Sequence, residues 1–293
     1  MGKIKEALKN GRILISDGAW GTFLQAKGLK AGECPELWNL EHPEEVFNIA
    51  KSYIDAGSNM VETNSFGGSS IKLAHYNLDD KAYELNKAAA EISKKAAGDH
   101  HFVLGSIGPT GKILMTGEVT EDELFKSFSE QSSGLSDGGA DAIIIETMSD
   151  IEEARQAIKA VKSCTDLEVI CTMTFEKTKN GEFKTMMGIS PTDMVHQLLS
   201  EEPDIIGANC GNGFHDMIGI VSEIRDADHD IPILVHANAG IPIYKDGKTV
   251  FPETPNEMGS YVHEIIDAGA NIIGGCCGTT PAHISRLKEM VLK

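Results

Sequence analysis

The stretch DAGANIIGGCCGTTP, residues 267–281, holds a helix end, a strand and a helix start in direct succession. Gly269 stands just past the last helical turn, where a left-handed cap favours glycine. Ile272 and Ile273 open an apolar run with no polar alternation, the pattern of a parallel strand covered on both faces. Thr280-Pro281 then sets a capping hydroxyl before a proline at the first helical position.

The same junction recurs as DAGSN (55–59) and DGGAD (137–141), and the same helix start as Ser190-Pro191 and Thr254-Pro255. Between such signals lie eight strand-like runs: ILISDG (13–18), MVETNSF (60–66), FVLGSIG (102–108), AIIIET (142–147), EVICTMTF (168–175), IIGANC (205–210), ILVHANAG (233–240) and IIGGCCG (272–278). Eight βα units in 293 residues predict an α/β fold, a (β/α)8 TIM barrel, as a single domain over residues 1–293. A doubly wound nucleotide fold is disfavoured, because neither a GxGxxG nor a Walker A motif opens a helix. The one long insertion expected is 109–122, after the third strand.

Forty-four acidic residues against 26 basic ones give a net charge of −18, which repels nucleic-acid phosphates and anionic lipid surfaces. The opening MGKIKEALKN reads as a short polar helix, and no apolar run is long enough to span a bilayer, so the expected location is cytoplasmic. With no secretory signal, the six cysteines point to thiol or metal chemistry rather than to disulfides.

In a barrel of this kind the active site sits at the carboxyl ends of the strands. There the sequence places Asp17, then Glu62-Thr63-Asn64, Glu146, Cys210, Asn238 and the pair Cys276-Cys277. The sixth and eighth strands lie two places apart around a barrel, so Cys210, Cys276 and Cys277 converge. Three thiolates make a zinc site with one position open, the arrangement of a catalytic rather than a structural ion. Cys34, Cys164 and Cys171 have no partner at ligand spacing and are expected to be structural. His236 is expected to be a satisfied histidine of the barrel interior. Asp17 and Glu146 read equally as an acid/base pair, a second metal site or an anchor for an ammonium group.

The segments DGAWGT (17–22), AGSNMVETNSFGG (56–68), GSIGPTG (105–111), GGADAIIIETMSD (138–150), GANCGNG (207–213), HANAGIPI (236–243) and GGCCGTTP (274–281) occur in an order that identifies a family. The chain resembles the homocysteine S-methyltransferases, most closely the amino-terminal homocysteine-binding barrel of cobalamin-dependent methionine synthase, over nearly its whole length. The resemblance implies one zinc ion per chain on Cys210, Cys276 and Cys277, with the homocysteine sulfur as fourth ligand. It implies that Asp17 and Glu146 hold the substrate ammonium, and that Gly18, Ala19 and Thr63 receive its carboxylate. It also places Asn238 near the metal.

The expected reaction is methyl transfer to homocysteine thiolate to give methionine. A thiol with an ordinary pKa near 8.5 gives up its proton on zinc. No DxHxxG corrinoid-ligand motif occurs in the sequence, so the methyl group is expected from methylcobalamin on a separate corrinoid protein. The alternative donors are betaine or S-methylmethionine, for which Trp20, Trp38 and Phe66 offer aromatic faces. Two further readings predict different behaviour: a metal-dependent lyase or hydrolase built on Asp17 and Glu146, and a zinc- or thiol-responsive protein that binds homocysteine without transfer.

Overall fold

The computed structural model describes residues 2–245 and 247–292. Its eight parallel strands are β1 (Leu14–Ile15), β2 (Met60–Glu62), β3 (Phe102–Ile107), β4 (Ala142–Met148), β5 (Glu168–Met173), β6 (Ile205–Asn209), β7 (Ile233–Ala237) and β8 (Ile272–Gly275). They pair in the order β1-β8-β7-β6-β5-β4-β3-β2, with helices between successive strands, giving a nearly closed barrel in one domain. Seven fall inside the runs read from the sequence, and β4 runs one residue past its run, to Met148.

The junctions carry out two tasks. Gly57, Gly139 and Gly269 take φ of 104°, 95° and 120°, the left-handed region that ends the preceding helix. The residue two places on then clamps the neighbouring strand. Asn59 donates its amide to the Ile15 carbonyl (2.6 Å) and accepts from the Ile15 amide on Oδ1 (2.8 Å). Asp141 on Val103, Asp204 on Val169 and Asn271 on Ile233 repeat this two-point clamp. The Asn59 clamp, with the Glu62 amide donating to Asp17 Oδ2 at 2.8 Å, ties β1 to β2 where the ladder of paired strands stops.

Alternation along each strand sorts the side chains into two cores. Leu14, Met60, Leu104, Ile144, Ile170, Ile205, Leu234 and Ile272, one from each strand, meet inside the barrel. Ile15, Val61, Val103, Ile143, Val169, Ile206, Val235 and Ile273 face the helices. The amino-terminal helix Lys3–Ala7 inserts Ile4 into the inner cluster as a plug at the foot of the barrel. Its first turn is held by Glu168, which accepts from the amides of Ile4 (2.7 Å) and Lys5 (2.9 Å), an anion placed at a helix start.

Thr120, Ser190, Thr254 and Thr280 each cap a helix in a reciprocal box with the residue three places on, so the helix starts read at the last three hold. The expectation of a single long insertion is corrected. Besides 109–122, antiparallel hairpins follow β5 (Glu176–Lys177 with Phe183–Lys184) and β7 (Ile243–Lys245 with Lys248–Val250). Gly181 and Gly247, with φ of 86° and 78°, lie in the turns of these hairpins.

Burial pushes the Asp141 carboxyl up, but hydrogen bonds from Lys3, Lys94 and the Val103 amide outweigh it and leave it below its ordinary value. Asp141→Asn keeps the clamp, as Asn59 and Asn271 show, and loses only the two ammonium partners. It is expected to cost about 1 kcal/mol in chemical denaturation at about pH 7. A depressed folded pKa contributes stability above the unfolded value near 3.9, so the deficit should vanish as pH falls through the folded pKa.

Candidate active site

The layer above the apolar interior is polar. Two residues on from each inner side chain lie Ser16, Glu62, Ser106, Glu146, Thr172, Gly207, His236 and Gly274, all buried. Above this layer opens a cavity of about 240 Å³ lined by Glu62, Thr63, Ser106, Glu146, Thr147 and His236. Gly18, Ala19, Trp20 and Phe66 line it as well, and so do Cys210, Cys276 and Cys277.

The three thiols meet as expected, with Sγ atoms within 4.8 Å of one another. Each is placed by the main chain. The Cys210 amide donates to the His236 carbonyl (2.9 Å), and the residue takes φ of 61°, so a side chain due to alternate outward turns to the mouth. The Cys276 amide donates to the Ala237 carbonyl (2.7 Å), and Thr279 Oγ1 donates to the Cys276 carbonyl (2.7 Å). Hydrogen bonds from the Cys276 and Cys277 thiols hold the Cys210 thiol down to about 3, while the same contact with Cys210 pushes Cys277 up to about 12. Asn238 bonds to Cys210, and its own buried Oδ1 has no partner.

The carboxylates divide differently from the expectation. Glu146 lines the cavity, accepting from Ser106 Oγ (2.5 Å) and from Asn209 Nδ2 (3.2 Å). Asp17 is fully buried and absent from the lining. Its Oδ2 is taken by the Glu62 amide and by Trp20 Nε1 at 2.9 Å, and Ser16 Oγ lies 3.3 Å from Oδ1. The second carboxylate in the cavity is Glu62. Burial pushes both acids well above the usual carboxylate range, helped at Glu146 by the Glu62 charge and at Glu62 by Asp17.

His236 does sit inside the barrel, but it is not satisfied there. Nδ1 lies 3.2 Å from Glu62 Oε1 without hydrogen-bond alignment, and the buried Nε2 has no partner. Ala19 and Thr63 are already engaged: the Ala19 amide donates to Thr279 Oγ1 (3.0 Å), and Thr63 Oγ1 accepts from the Ser106 amide (2.9 Å). Of the three aromatic residues, Trp20 and Phe66 reach the cavity, whereas Trp38 packs in the outer core. Cys34 and Cys171 are buried with thiols pushed up to about 12, and Cys164 is exposed at the end of helix Ile151–Cys164. Among the described residues these three thiols join no ligand cluster.

Residues 14–291 match the family described as homocysteine S-methyltransferase. The chain belongs to that family. Methionine synthase from Mycobacterium tuberculosis is 30% identical over 301 residues, and methionine synthase from Mycobacterium leprae is 30% identical over 303. Each alignment covers 96% of this chain, which spans only 25% and 24% of those proteins. The homocysteine methyltransferase MmuM from Escherichia coli, in its metallated form, superposes with a TM-score of 0.79 at 24% identity. That alignment covers 98% of this chain and 99% of MmuM, a likeness of fold. The carboxyl transferase domain of Rhizobium etli pyruvate carboxylase is a more distant barrel, with a TM-score of 0.56 and 15% identity. Among the described residues no helix is long and apolar enough to cross a membrane.

Proposed function

We propose that this homocysteine S-methyltransferase family member binds one zinc ion on Cys210, Cys276 and Cys277 and moves a methyl group to the thiolate of homocysteine. The observation that carries the reading is the join of a three-sulfur cluster to a cavity with two buried carboxylates. One end suits a thiol and the other an ammonium. The donor set fits zinc: three soft ligands, and beside them the unpartnered Oδ1 of Asn238. Bound there, zinc lowers the pKa of the incoming thiol so that it reacts as a thiolate.

The protein's own groups do the rest. Glu146 and Glu62 receive the ammonium, which restores the ionised state that burial opposes. Asp17 holds the Glu62 main chain and the Trp20 indole in place from behind. The turn at Gly18 and Ala19, beside Thr63, receives the carboxylate. Asn238 steadies Cys210. A zinc ion held by these three thiolates would bind the neutral thioether of methionine more weakly than a thiolate, which would favour release of the product.

The donor is a methylated corrinoid protein in this reading. The segments ETNSFGG and GSIGPTG support it, as does 30% identity to methionine synthases about four times as long as this chain. Trp20 and Phe66 at the cavity favour a second reading, in which the donor is the sulfonium of S-methylmethionine or the ammonium of betaine. Zinc-loaded protein given homocysteine with methylcobalamin, S-methylmethionine or betaine in turn separates them. Methionine formed with consumption of methylcobalamin is the expected result, and methionine from an onium donor alone selects the second reading. Failure of every donor, with a metal shell of nitrogen and oxygen, overturns methyl transfer and favours the lyase or hydrolase.

A further inference from the structure

The backbone beside Glu146 is strained. Thr147 takes φ of 60°, a conformation rare for a β-branched residue and one that persists only where its surroundings hold it. The pairing with β5 shows why it occurs. From Ile145 to Met148 the chain advances three residues while its partner advances two, Cys171 to Met173, so β4 carries one extra residue here. Ile145 and Met148 both face the outer core. The bulge therefore lets Glu146 and Thr147 both line the cavity, where a regular strand would present only one of them.

A single buried amide holds this bulge. Asn209 Oδ1 accepts from the Thr147 amide (2.7 Å) and from Thr172 Oγ1 (2.7 Å). Its Nδ2 donates to Thr147 Oγ1 (2.7 Å) and to Glu146 Oε2 (3.2 Å). All four hydrogen-bonding positions of the side chain are used. Asn209 is fully buried and immediately precedes Cys210. The same residue thus touches the carboxylate at one end of the cavity and is bonded in sequence to a thiol at the other.

We infer that Asn209 is a positioning residue that sets the spacing between Glu146 and Cys210, and so selects acceptors whose thiol and ammonium lie as far apart as they do in homocysteine. The inference rests on the proposed homocysteine reading. Asn209→Asp tests the link, because it keeps the acceptor for the Thr147 amide and Thr172, lets the Thr147 hydroxyl turn to donate, and sets an oxygen against Glu146. The probes are homocysteine and 4-mercaptobutanoate, which is homocysteine without its amine, titrated into zinc-loaded protein.

The expected result is a Kd for homocysteine weakened roughly 30- to 100-fold, the range of about 2–3 kcal/mol. The Kd for 4-mercaptobutanoate should stay within about threefold and zinc content should be unchanged. The double variant Asn209→Asp with Glu146→Gln restores a donor facing an acceptor. It should recover the melting temperature without recovering the preference for the amine. Equal weakening of both ligands, or loss of zinc, assigns Asn209 a structural role only and overturns the inference, as does unchanged homocysteine binding. Wild-type protein that binds neither thiol sinks the homocysteine reading itself, an outcome distinct from all of these.

Discussion

Cys210→Ala is expected to remove zinc and methyl transfer together while leaving the barrel folded. Cys210 is held by main-chain bonds: its amide to the His236 carbonyl and its carbonyl to the Asn212 amide at 2.7 Å. Alanine keeps both and accepts φ of 61° no less readily than cysteine does. The metal is another matter. A four-ligand zinc site worth about 10–16 kcal/mol gives roughly 2.5–4 kcal/mol per ligand, so losing one sulfur should weaken zinc by about 10²- to 10³-fold. Metal analysis after dialysis, with circular dichroism on the same sample, checks both halves. A variant that keeps stoichiometric zinc with three sulfurs in its shell would remove Cys210 from the ligand set.

Glu146→Gln is the second large effect, and it should fall on binding. Removing one partner of a buried charge pair costs about 2–5 kcal/mol, so the KM for homocysteine should rise at least about 30-fold with zinc content intact. The pH dependence carries a sign. In the empty cavity burial, then the Glu62 charge, pushes the Glu146 carboxyl up, so it takes a proton readily. An ammonium favours the ionised acid, so binding expels protons and must tighten as pH rises. Methionine, which has no thiol proton to lose, isolates this linkage. Its Kd should fall as pH rises above the ordinary carboxylate range in the wild type and change less in Glu146→Gln. Equal slopes would place the ammonium elsewhere.

The barrel could be read from the sequence because its punctuation is local. A glycine past a helix end, a hydroxyl before a proline and an unbroken apolar run each report one boundary. The cluster of thiols was legible for a similar reason, since inert core cysteines have no cause to gather at the carboxyl ends of two strands. The carboxylates were harder, because nearness to a strand end says nothing about which way a side chain points. Counting by twos from the inner apolar residue of each strand does. From Leu14 the count lands on Ser16 and passes Asp17, and from Met60 it lands on Glu62. The same count finds His236 from Leu234. It fails at Thr147 and Cys210, where left-handed backbone breaks the alternation, and no local residue preference announces a β-branched or thiol side chain in that region. Asn209 escaped notice because its importance lies in four hydrogen bonds to three residues of β4 and β5.

The plug at the foot of the barrel constrains how the reaction can be scheduled. Ile4 and the eight inner side chains fill the far end, which leaves the mouth of the barrel as the door to the cavity. Acceptor, donor and product must all use it. A bulky methyl donor seated at that door shuts in whatever lies behind. In the proposed corrinoid reading homocysteine therefore enters first, and methionine leaves only after the spent donor has withdrawn. On that reading the foot of the barrel, far from the thiol cluster, imposes a compulsory order on the turnover.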